Sequence, residues 1–143
     1  MLEQDNQEQK PLLTSLNFVV QTYDIDFAGH VSNQVYIRWL EDLRLSLLNR
    51  SYPLENLMND GILPVLMRTD IRYRRSIEMF EPVEGHIWIK SVGTAKVTLF
   101  AEIVSRGIVC AEATQIGAFL SRETGKPGRV PRRLLECMEP LRR

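Results

Sequence analysis

Cysteine is scarce in this chain. The two present among 143 residues, Cys110 and Cys137, form no CxxC pair and are too few for a disulfide scaffold. No apolar run approaches the ~18 residues of a membrane-crossing helix. The first ten residues, MLEQDNQEQK, are polar and acid-leaning, unlike a signal peptide or an Arg-rich transit segment. Charge of one sign is also missing, with 18 basic and 18 acidic side chains giving a formal net charge of 0. Nucleic acid and anionic membrane surfaces both call for a net basic footprint, so neither is expected as a partner. Internal repeats and low-complexity segments are absent, and Gly125-Lys126-Pro127 sits in no G-x-x-x-x-G-K-[ST] frame. These absences predict a reduced, cytoplasmic protein.

What remains is an ordinary globular composition, 44% hydrophobic. A chain of this size buries roughly 68% of the surface its unfolded form exposes, so neither disulfide nor structural metal is required. Residues 1–14 read as a loosely attached lead-in, 15–138 as one domain and 139–143 as a basic tail. From Ser121 onward seven basic residues face three acidic ones, which suits either a solvated end or an anionic ligand.

Periodicity supplies the elements. Leu16 to Thr22 reads as a strand, broken by the acidic turn Tyr23-Asp24-Ile25-Asp26 and by Gly29. Val35, Tyr36, Trp39, Leu40, Leu43, Leu47 and Leu48 then recur at three- and four-residue spacing, predicting a helix to Arg50 that Ser32 or Asn33 caps and Tyr52-Pro53 ends. Ile37 and Leu45 broaden the apolar set, so burial on more than one side is expected. A helical turn from Leu54 to Asp60 follows, closed by Gly61. Beyond it the period drops to two in four runs of about 10 to 12 residues, ~33 to 40 Å each. In the first run Val65, Met67, Ile71 and Tyr73 share a face. The order is strand, long helix and four strands in a meander, an α+β architecture in which a long antiparallel sheet curls round one central helix.

The chemistry concentrates in Tyr23 to Glu41, where two carboxylates and a glycine turn directly precede the helix. Calcium is one reading. Asp24, Asp26 and Gly29 fit the first, third and sixth positions of an EF-hand loop, yet the fifth and twelfth are Ala28 and Val35, which cannot ligate. The second reading is capping, since an acidic residue ahead of a helix is stabilised by the macrodipole and accepts free N–H groups; it suits Asp24. The third is catalytic. A helix N-terminus presents unpaired N–H groups, and a neighbouring carboxylate can act as base or nucleophile toward a carbonyl that those groups polarise. Thioester cleavage needs no more, because a thiol of pKa ~8.5 leaves as its anion without a dedicated acid.

The pattern D-x-D-x-x-G-H-V-x-N-x-x-Y-x-x-W over residues 23–41, followed by a long helix and four strands, resembles the hotdog-fold acyl-CoA thioesterases of the 4-hydroxybenzoyl-CoA thioesterase type. In element order the resemblance extends over about residues 16–122. It implies that Asp26 is the catalytic carboxylate and that the backbone N–H of Asn33, seven residues later, polarises the thioester carbonyl. It also implies a sheet wrapped round the helix, active sites at a dimer interface, and a homodimer or homotetramer. Where many relatives carry Asn-Asn or a histidine near the helix start, this chain has Ser32-Asn33.

Substrate-binding candidates surround that pair. His30 could orient Asp26, touch substrate or simply pack. Tyr36 and Trp39 are core or acyl-pocket wall, with Tyr36 taken as a binding residue. Arg72 and Arg74 share a strand face and Arg75 falls on the other or in a loop; all three could pair with coenzyme A phosphates, or form a solvated face beside Glu78 and Glu81. His86 is assigned a structural place. The expected substrate is a thioester of coenzyme A or of acyl carrier protein, with no metal and no cofactor. A hotdog module that binds acyl-CoA without cleaving it is the alternative; a dehydratase would show histidine followed by Phe-Pro-Gly, and His30 precedes Val31-Ser32.

Overall fold

The computed structural model describes residues 9–138; residues 1–8 and 139–143, and with them most of the expected lead-in and the whole basic tail, lie outside the described residues. Five strands and three helices follow in the order β1 (Thr14–Phe18), α1 (Asn33–Ser51), α2 (Leu54–Asn59), β2 (Ile62–Tyr73), β3 (Val83–Val92), β4 (Lys96–Ser105), β5 (Ile108–Ser121) and α3 (Arg132–Glu136). No described helix is long and apolar enough to cross a membrane.

The strands form one antiparallel sheet in the order β1-β3-β4-β5-β2. The expected four-strand meander is therefore limited to β3-β4-β5. Loop length explains the difference. Arg106-Gly107 is a two-residue turn with positive φ at both positions, 52° and 76°, a geometry that keeps β4 and β5 adjacent. The connection from Arg74 to Pro82 is long enough to release β2, which pairs with β5 at the far edge. That pairing contains a bulge between Leu66 and Arg68, so Met67 is an extra residue without a partner in the ladder. Consequently Ile62 and Ile71 both pack on the core although they are an odd number of residues apart, and Met67 is exposed, not aligned with Ile71 and Tyr73 as simple alternation predicts.

The helix α1 begins where expected. Ser32 is extended and its hydroxyl accepts a hydrogen bond from Gln34 N–H at 3.4 Å, while Tyr52 N–H bonds back to Leu48 O at 2.7 Å ahead of Pro53. Its buried stripe is Val35, Tyr36, Trp39, Leu40, Leu43 and Leu47. Ile37 is exposed, so within the chain the helix is covered on one side only, contrary to the broader burial expected. Beneath it the sheet offers Ile87, Ile89 and Ile103 with the small side chains Ala101, Ala111 and Ala113, and the alanines leave room for Tyr36 and Leu40. Gly85 is required here. A Cβ at that position would stand 2.7 Å from Phe18 Cε2 and 2.9 Å from Leu43 Cδ1. The opposite sheet face carries Trp88 against Phe100, with Lys10 over the Trp88 ring at 4.5 Å.

The first strand lies earlier than expected, ending at Phe18. The chain then forms a 3-10 turn, Thr22–Asp24, because the Asp24 carboxylate accepts from Gln21 N–H at 2.8 Å and closes the backbone on itself. Attachment also begins ahead of residue 14: Ile89 N–H donates to Pro11 O at 2.9 Å.

Candidate active site

The segment between the 3-10 turn and α1 is a tight loop. Ile25 and Val31 form an isolated antiparallel bridge, Asp26 N–H donates to His30 O at 2.9 Å, and Gly29 N–H returns to Asp26 O at 3.0 Å. Gly29 has φ 81°, a left-handed conformation that glycine adopts without a Cβ penalty. Two further bonds anchor the loop: Val31 N–H to Ile77 O at 2.8 Å, and Ser32 N–H to Asp24 O at 2.8 Å. The 26–30 turn is thereby held against the helix start on one side and the β2–β3 connection on the other.

Within this frame the two aspartates differ. Asp24 is buried, with one carboxylate oxygen on Gln21 N–H and the other 3.2 Å from Arg38 Nη2. Both oxygens have structural partners, so Asp24 holds the chain, and it does not cap α1; Ser32 does. Asp26 is half-buried and accepts one hydrogen bond, from Ala28 N–H at 2.9 Å, leaving its second oxygen available. Among the described residues no group of three or more His, Cys, Asp or Glu side chains is placed to hold a metal ion.

A cavity of about 210 Å³ opens at this point, lined by Asp26, His30, Asn33, Tyr36, Arg74 and Arg75, with Val31, Tyr73 and Ser76 completing the wall. It therefore gathers six of the seven side chains named from the sequence. Arg72 is the exception. It is exposed on β2, on the alternate side from Tyr73, and does not reach the cavity. Arg74 and Arg75 both lie beyond the strand end, where their N–H groups share Cys110 O at 2.8 and 3.1 Å. Asn33 is the first residue of α1, so its N–H has no acceptor within the helix. His30 Nε2 stands 4.0 Å from Glu78 Oε1 and faces the β2–β3 connection.

Three neighbours set the electrostatics. Arg75 Nη2 donates to Glu81 Oε1 at 3.1 Å, and Glu81 also takes bonds from Ser105 Oγ at 3.1 Å and Glu78 N–H at 2.6 Å. Burial pushes the Glu81 carboxyl up, but the Glu78 N–H, the Ser105 hydroxyl and the Arg75 and Arg106 charges outweigh it, and the carboxyl sits below its ordinary range. The far side of Arg75 contacts Cys110 Sγ at 3.7 Å. Tyr36 is buried edge-on to Tyr73, ring centroids 5.2 Å apart. Its hydroxyl is pushed up to about 12, chiefly by burial and further by the charges of Cys110, Tyr73 and Glu81. It therefore keeps its proton at neutral pH and is a donor, not a base.

Tyr73 and Glu81 did not emerge from the sequence as site residues. Tyr73 Oη donates to Asn33 O at 3.3 Å, tying the end of β2 to the first residue of α1. Its position in an alternating strand was the available signal. Glu81 was expected beside a solvated face; it is buried instead, and no periodicity in Glu78-Met79-Phe80-Glu81-Pro82 marks it.

Known proteins share this fold. A family model described as the thioesterase-like superfamily matches residues 20–137. Among solved structures the chain is similar to a DHNA-CoA thioesterase from Staphylococcus aureus, at 18% identity and TM-score 0.83 over 91% of each chain. It is similar also to a thioesterase from Thermus thermophilus complexed with coenzyme A and Zn, at 21% identity and TM-score 0.80, covering 93% of this chain and 96% of that one. A third is a hypothetical protein of Staphylococcus aureus in complex with CoA, at 12% identity and TM-score 0.83, covering 90% and 82%. At these identities the likeness establishes the fold, an antiparallel sheet packed on a long helix.

Proposed function

The chain belongs to the thioesterase-like superfamily, a family of thioester-cleaving enzymes, and on that premise we propose that it hydrolyses acyl-CoA with Asp26 as base or nucleophile and the Asn33 N–H as oxyanion donor. The carrying observation is that both residues line one cavity at the start of α1, where the Asn33 N–H has no acceptor within the helix. In the general-base route the free Asp26 oxygen takes a proton from water as the water oxygen bonds to the thioester carbon. The carbonyl electrons move onto oxygen, where the Asn33 N–H and the positive end of the helix hold them. Collapse breaks the C–S bond, the thiolate leaves, and the proton on Asp26 returns to it. In the nucleophilic route Asp26 attacks first and water cleaves the resulting anhydride. The protonated Tyr36 hydroxyl supports either route as a donor to substrate.

Arg74 and Arg75 are the cations suited to the coenzyme A phosphates, and Arg72 leaves that role. An acyl-carrier-protein thioester presents the same phosphopantetheine thiol and is a second substrate class. The outer edge of β2 has no strand neighbour among the described residues and exposes Leu66, Met67 and Tyr73, which favours assembly with a second copy along that edge. A cytoplasmic setting suits this substrate.

Thiol release from a panel of acyl-CoA and acyl-carrier-protein substrates tests the reading. Asp26→Asn is expected to lower kcat at least ~100-fold, the scale of a lost general base. Equal rates would remove Asp26 from the mechanism. Binding of acyl-CoA with no release by the wild type would establish the non-catalytic module instead.

A further inference from the structure

The molecule holds a second, larger cavity, of about 320 Å³, between the C-terminal half of α1 and the sheet. That volume is at the lower end of small-ligand pockets, ~300 to 1,000 Å³. Its wall is mostly apolar, with Leu45 and Leu48 from α1, Val65 from β2, Leu99 from β4, Phe119 from β5 and Leu134 from α3, and Glu41 and Arg44 of α1 also line it. Arg44 lies eleven residues along α1 from Asn33, about 16 Å at ~1.5 Å per residue. The larger cavity shares no lining residue with the one at the start of α1.

One cation faces this apolar space. Arg44 Nη1 donates to Gln115 Oε1 at 3.0 Å, and no carboxylate lies within 4.0 Å of its guanidinium among the described residues. Gln115 is itself buried, and its Nε2 donates to Thr69 Oγ1 at 3.1 Å, which fixes the amide with its oxygen toward Arg44. A guanidinium carries five N–H donors, and a neutral amide oxygen answers one of them. Burial lowers the Arg44 pKa and the attraction of Glu41, exposed one turn earlier at the rim, only partly offsets it. The site therefore combines a half-buried positive charge without a direct counter-ion, a rigid amide behind it, and a mostly apolar chamber in front.

We propose that this chamber binds a small carboxylate-bearing amphiphile, its apolar chain or ring against Leu45, Leu48, Val65 and Phe119 and its carboxylate on the Arg44 guanidinium. Two sources present that chemistry. One is a free apolar acid, the class that thioester hydrolysis releases; the other is the distal carboxylate of a dicarboxylic acyl group. The link to turnover rests on the thioester-hydrolase reading, whereas binding of the acid does not.

Binding of octanoate and of uncharged 1-octanol to the full chain, measured by calorimetry, tests the site. The wild type is expected to prefer octanoate, and Arg44→Gln to weaken octanoate roughly 10- to 100-fold, the scale of one charge-assisted hydrogen bond, with octanol unchanged. Arg44→Lys keeps the charge and is expected to retain the preference. Leu48→Trp fills the chamber and is expected to lose both probes; with Arg44→Lys it carries the test if Arg44→Gln does not fold. Rates with octanoyl-CoA and with the thioester of its eight-carbon dicarboxylic counterpart separate the sources. If Arg44→Gln abolishes a preference for the dicarboxylic substrate, the acyl end occupies the chamber; if octanoate binding falls and that ratio does not move, the free acid does. Equal binding of octanoate and octanol in wild type and Arg44→Gln overturns the proposal. Asp26→Asn should leave octanoate binding intact, so a wild type that cleaves no thioester counts against the hydrolase reading alone.

Discussion

The buried Glu81 carboxylate holds Arg75 by a 3.1 Å hydrogen bond, so the guanidinium on the cavity beside Asp26 is fixed from behind by a residue that does not line it. Glu81→Gln keeps the shape and removes the charge. The KM for acyl-CoA is expected to rise about tenfold, the scale of one charge-assisted hydrogen bond, with kcat little changed. Steady-state kinetics checks this, and an equal loss in kcat would place Glu81 in the chemical step.

The same carboxylate predicts an acid limb in stability. Its folded pKa is depressed below the ordinary 4.5, so below that value the unfolded chain binds more protons than the folded one. The stabilisation is complete above the unfolded value and is lost as pH falls through the folded one. Urea midpoints of wild type and Glu81→Gln should therefore be well separated at neutral pH and converge in acid.

Tyr36 gives the opposite limb. Unfolded, its hydroxyl titrates near 10; folded, near 12. Stability should fall as pH climbs through that interval, and Tyr36→Phe should flatten the decline. The activity of the wild type should show no alkaline loss from Tyr36 below about pH 9, whereas Tyr36→Phe lowers kcat roughly tenfold at neutral pH if the hydroxyl donates to substrate.

The two aspartates separate by assay. Asp24→Asn disturbs the bonds to Gln21 N–H and Arg38 and is expected to lower stability by ~1 to 3 kcal/mol while retaining turnover. Asp26→Asn, with one backbone partner, should leave thermal unfolding nearly unchanged and abolish most of the rate. A reversal of these phenotypes would exchange their roles.

Gly85→Ala drives a methyl into Phe18 and Leu43. Overpacking of this kind costs ~1 to 3 kcal/mol. Because Phe18 stacks on Trp39 at 5.1 Å and Trp39 meets Tyr36 edge-on at 5.5 Å, thermal unfolding should fall and KM should shift with it.

Local signals explain what is legible in the chain alone. The 3.6-residue stripe from Val35 to Leu47, the Ser32 cap and Pro53 determine α1 within one stretch of chain, and the D-x-D-x-x-G-H frame places Asp26 beside it. The partner of β2 could not be read, because β2 meets β5 across some fifty residues and the connection from Arg74 to Pro82 carries no tight-turn chemistry. Met67 left no mark either: an extra residue in a run of half-buried side chains does not interrupt alternation visibly. Glu81 and Arg44 share that limit, since a charged side chain reads as solvated until tertiary packing encloses it.

The unpaired residue at Met67 also acts as a half-step in the phase of β2. Were Met67 instead paired in the ladder, strict alternation would turn the strand beyond it over. Ile71 and Tyr73 would rotate to the outer surface, and Arg72 would swing in over Ala111 and Ala113. One residue of chain, far from Asp26, thus decides whether a phenol or a guanidinium meets the start of α1.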